Sequence, residues 1–164
     1  VTTPVTADDI VSGAVTYLLA QPEIVAAVDS YIIGGKQTPG IFQYRTWTPI
    51  EGTSTTCAVL TSDGGWAGAN LYNTLRFPRL TCNIWADPIR DAGRNLADPG
   101  EVMRRSFAVY KVFDKYLHRT AGAEVYFGTL RIISSVRLTE PTIIVVPDGD
   151  GLVRCQTTYA ITEG

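Results

Sequence analysis

The chain reads as α+β: a mostly antiparallel β-sheet packed against a main α-helix at about 100–119, with two short helices near the N-terminus. Three observations carry that reading. Residues 75–86 and 152–162 alternate apolar and polar at the period of a half-buried strand. Residues 101–119 place apolar side chains at every third or fourth position, the period of a helix lying on a core. Gly, Pro, Asp and Asn cluster between such segments, where turns are expected.

Thr6-Ala-Asp-Asp9 has the form of a helix start, a Thr cap followed by acids in the first turn. Ile10, Ala14, Tyr17 and Leu18 then predict a first helix ending near Ala20. Pro22 suits the first position of a second helix running to about Asp29. Residues 34–40 are predicted to be a loop, Ile41–Thr48 and Cys57–Thr61 strands, and residues 62–73 a Gly-rich loop carrying Trp66 and Tyr72. In Leu75–Ala86, a long strand, Pro78 must sit at a bulge or edge because it donates nothing to the ladder. Leu80, Cys82, Ile84 and Ala86 form its apolar face.

Asp87–Ala97 is predicted to be a polar loop with solvated charges. Asp98 and Pro99 then give an N-cap and a first-turn proline for the main helix, Glu101 to Arg119. Val102, Ser106, Val109, Phe113 and Tyr116 mark its buried stripe, broadened by Phe107, Tyr110 and Leu117. Lys115, His118 and Arg119 would complement the dipole at its C-terminus, and Gly122 would end it. Val125–Leu138 supplies one or two strands, Ile143–Val146 a short apolar one, and Leu152–Thr162 the last. In that last strand Val153, Cys155, Thr157, Tyr159 and Ile161 share a face.

The 164 residues, without internal repeat or linker, are read as one domain, 1–164, long enough to bury a sizeable core. A hydrophobic share of 45% against 18% charged excludes a disordered chain. A net charge of −2 creates no global field that would draw nucleic acid or an acidic membrane, although Lys and Arg concentrate between Arg76 and Arg119. The apolar runs are too short to cross a bilayer and no signal-peptide pattern precedes Asp8, so synthesis in the cytoplasm is expected.

No catalytic constellation emerges. Asp148-Gly-Asp-Gly151 has the letters of a calcium loop's start, but Leu152 stands where the next oxygen ligand belongs and no closing glutamate follows. A hairpin turn accounts for it. Asp87, Asp91 and Asp98 are interleaved with Arg90 and Arg94, and no nucleophile elbow, phosphate loop or dinucleotide fingerprint is present. Cys57, Cys82 and Cys155 read as reduced, half-buried strand residues, a Cys57–Cys82 or Cys82–Cys155 disulfide staying open should their strands be neighbours, and a lone His118 cannot build a structural zinc site. No metal or cofactor is expected. Trp85 is predicted to pack under a helix or against a neighbouring subunit. Aromatics on Gly-rich loops are common anchors, so Trp66 and Tyr72 are the candidate interface residues, with Arg76 and Arg79 as polar partners.

The run R-F-P-R-L-x-x-x-I-W-A-D-P from Arg76, followed by R-R-x-x-A-V-Y-x-x-x-D-x-x-L-H-R from Arg104 to Arg119, resembles the tail terminator proteins of long-tailed bacteriophages. The resemblance implies a virion protein and not an enzyme. Such a protein forms a hexameric ring on the tail tube, stops its polymerisation and presents a docking surface to head–tail connector proteins. Its partners would be further copies of itself, the tail tube protein and those connectors, at the head-proximal end of the tail. DNA would pass through the lumen without sequence-specific binding, and no membrane is involved. Two other readings stay open: a head–tail connector of the stopper type, and a small-ligand-binding or enzymatic α+β domain.

Overall fold

One strand organises the molecule. In a computed structural model that describes residues 7–33, 35–43, 55–62, 66–67, 76–87, 90–91, 94–95, 99–119, 125–145 and 152–163, residues 153–163 pair along both edges. The elements in chain order are α1 (Ala7–Leu19), α2 (Pro22–Ala27), β1 (Ser30–Ile33), β2 (Lys36–Pro39), β3 (Ile41–Gln43), β4 (Thr55–Thr61), β5 (Trp66–Ala67) and β6 (Arg76–Phe77). There follow β7 (Arg79–Asp87), β8 (Arg90–Asp91), β9 (Arg94–Asn95), α3 (Pro99–Leu117), β10 (Val125–Phe127), β11 (Leu130–Arg137), β12 (Thr142–Val145) and β13 (Val153–Glu163). The main sheet runs β10-β11-β13-β7-β4-β3, with β12 on β13 and the β5–β6 pair attached to β13 through β6. Every pairing is antiparallel except β3 with β4. The α+β expectation holds, with strands dominating.

Strand alternation decides which face meets the helices. Leu80, Cys82, Ile84 and Ala86 of β7, Ala58 and Leu60 of β4, and Val153, Cys155, Thr157, Tyr159 and Ile161 of β13 are all buried. Helix α3 lays Val102, Ser106, Val109, Tyr110, Phe113 and Leu117 against this sheet, while Phe107 and Tyr116 are only half-buried. Burial of that stripe against an apolar sheet face is the main favourable term holding the layers together. Ser106 fixes the crossing by donating its hydroxyl to the Ile84 carbonyl at 3.0 Å.

The N-terminal helices pack on the same core. Ile10, Val11, Ala14 and Leu18 of α1 are buried, as is Ile24 of α2. Pro22 occupies the first turn of α2 as the sequence predicts. Helix α1 approaches the β10–β11 turn so closely that a Cβ on Gly13 would lie 2.3 Å from the Phe127 carbonyl oxygen. Gly128, at φ +64°, turns the chain directly beneath it.

Several expectations need correction. Residues 36–39 are not loop: Lys36–Pro39 pairs with Ser30–Ile33 as a hairpin. Asp29 anchors it, its backbone N–H donating to the Thr56 carbonyl at 3.0 Å while its carboxylate accepts from the Thr56 N–H at 2.6 Å. The long strand at 75–86 is broken into β6 and β7 at Pro78, whose carbonyl still accepts from Ile161 at 2.9 Å. Asp87 is not a solvated loop charge but a fully buried strand end, and the stretch after it holds the small β8–β9 pair. Helix α3 ends at Leu117, before both Arg119 and Gly122. Arg119 instead bridges to Ser135 through two backbone hydrogen bonds, 2.6 and 2.8 Å. The expected caps Thr6 and Asp98, strand residues 44–48, and the Asp148–Gly151 turn lie outside the described residues.

Two substitutions test this packing. Phe113→Ala should cost about 3–5 kcal/mol in urea unfolding, because a fully buried ring leaves a cavity between helix and sheet. Gly13→Ala should cost about 1–3 kcal/mol, because its methyl meets backbone that cannot yield without shifting β10. A neutral result for the second would mean that α1 does not approach the turn this closely.

Candidate subunit interface

The polar groups inside the fold resolve into a structural clasp. Tyr159, fully buried on β13, donates its hydroxyl to Asp114 Oδ1 at 2.7 Å. Arg137 from β11 reaches Asp114 Oδ2 at 2.7 Å and donates to the Tyr110 hydroxyl at 3.0 Å. His118 turns its ring to β11, its Nδ1 accepting the Arg137 backbone N–H at 3.0 Å. Arg119 adds a side-chain bond to the Tyr17 hydroxyl on α1 at 3.1 Å. Leu117, His118 and Arg119 thus tie the end of α3 to core, strand and first helix in turn. The partners of Asp114 are 23 and 45 residues away and leave no local trace in the sequence.

Nothing in this cluster is poised for nucleophilic chemistry. Burial, with Cys82 and Asp114 nearby, pushes the Tyr159 phenol well above its usual range. Burial likewise pushes the Cys155 thiol up to about 11 and the Cys82 thiol higher still, so both stay protonated near neutrality. None of the three cysteines is in a disulfide, and all are buried rather than half-buried. Cys57 stands opposite Trp85 on the other face of the sheet, away from the helices. Trp85 is therefore not under a helix; the Arg154 guanidinium covers its ring, 5.3 Å from the centroid. Among the described residues no group of three or more His, Cys, Asp or Glu could hold a metal ion, and no helix is long and apolar enough to cross a membrane.

Of the four interface residues expected from sequence, three converge at one corner of the sheet. Trp66 lies in strand β5, opposite Phe77, rather than in a loop. Arg76 sits between Ala67 on one side and Glu163, at the end of β13, on the other. Arg79 opens β7 with an exposed side chain, and its carbonyl accepts the Ser62 hydroxyl at 2.5 Å. Tyr72 lies outside the described residues. Sequence reasoning passed over a stretch of exposed apolar residues. Apart from Leu19, every exposed large hydrophobic among the described residues falls between 126 and 145: Tyr126, Ile133, Val136, Leu138, Ile143 and Val145.

No family model matches the sequence, and no curated protein matches it. The fold does have a counterpart among solved structures. It is similar to a chain in the virion of a native gene transfer agent (GTA) particle, with a TM-score of 0.51 and 19% identity. The likeness covers 93% of this chain and 94% of that one, so it extends to the whole arrangement of helices and sheet.

The clasp predicts an alkaline limit to stability. Because the native Tyr159 phenol holds its proton more tightly than the unfolded one, its contribution is complete below about pH 10 and declines as pH rises above that value. Tyr159→Phe should cost about 1–3 kcal/mol at pH 7, through a carboxylate left short of a donor. It should also flatten the stability profile between roughly pH 9 and 11, though not completely, since burial raises Tyr110 as well. Denaturant titrations across that range check both points.

Proposed function

We propose that this protein is a structural component of a phage-like virion, and specifically a tail terminator: a ring, hexameric by the resemblance, that caps the tail tube and receives the head-completion proteins. The observation that carries the reading is the fold likeness to a virion chain along 93% of the molecule. It agrees with the resemblance of residues 76–119 to tail terminators. The polar interior adds support of a different kind. Asp114, Tyr159, Arg137 and His118 satisfy one another, as suits a subunit whose task is to hold a shape.

A closed ring needs a heterologous contact, in which one surface of a subunit meets a different surface of the next. The corner formed by β5, β6 and the start of β7 is our choice for one of those surfaces. It brings Trp66, Arg76 and Arg79 to one end of the sheet. Aromatic and arginine side chains are the usual anchors of such contacts.

Two experiments test the proposal. Trp66→Ala and Arg79→Glu should each weaken assembly by about tenfold or more in sedimentation, with the monomer's melting temperature within about 2 °C of wild type. Particles made without this protein should carry tails beyond their set length that fail to join heads. Tails of normal length that leak DNA would place the protein at the stopper position instead.

A further inference from the structure

We draw no further inference here: the strongest candidate, the exposed apolar stretch from Tyr126 in β10 to Val145 in β12, carries none because nothing in the structure shows what covers it.

Discussion

Tyr159 has to place a hydroxyl in the middle of the apolar layer, and much of the fold can be understood as the solution to that demand. A buried hydroxyl without a partner costs on the order of 1–3 kcal/mol, so an acceptor must come from the element that covers it. Helix α3 supplies Asp114. A carboxylate in that position then needs its own compensation, and Arg137 provides it from the neighbouring strand. With Arg137 held there, its backbone N–H meets His118 just past the helix end, and Arg119 is brought to Ser135. One buried polar atom thereby sets how helix, central strand and adjacent strand sit together. Each bond is modest alone; the geometry they share specifies the packing.

This explains which parts of the fold were legible in the sequence. Periods of two and 3.6 reported the apolar faces of β7, β13 and α3 with few errors, because burial acts on every residue of a face. Hydrogen bonds between distant residues have no period. The β1–β2 hairpin carries the polar run Lys36-Gln-Thr-Pro39, which reads as loop until Asp29 is seen holding it to Thr56. The end of α3 was set too late for the same reason. His118 and Arg119 fit a helical pattern, but β11 competes for their polar groups and wins. Composition alone reads Asp87 as a surface charge, although the residue is fully buried at the end of its strand.

The candidate interface was legible in a different measure. Trp66, Arg76 and Arg79 were chosen singly, from residue type and loop context, and their convergence at one corner depends on β6 joining the end of β13 across the whole length of the sheet. The apolar edge at β12 was read correctly as a strand but not as a surface. Only the topology shows that it pairs, among the described residues, with β13 alone. Residues that position strands look like ordinary core and edge residues in one sequence.

The position of β13 also bears on how the molecule is made. Every strand that pairs with it precedes it in the chain, and Thr81 meets Thr158 across 77 residues of sequence. During vectorial synthesis β4 and β7 can meet early, yet the inner edge of β7 waits until residues 153–163 have left the ribosome. Until then the apolar faces of β7, β11 and α3 lack their common neighbour. Closing so long a loop is entropically costly, and contacts this remote fold slowly. Final closure is therefore a late event, and for that interval the nascent chain exposes the surfaces on which chaperones act.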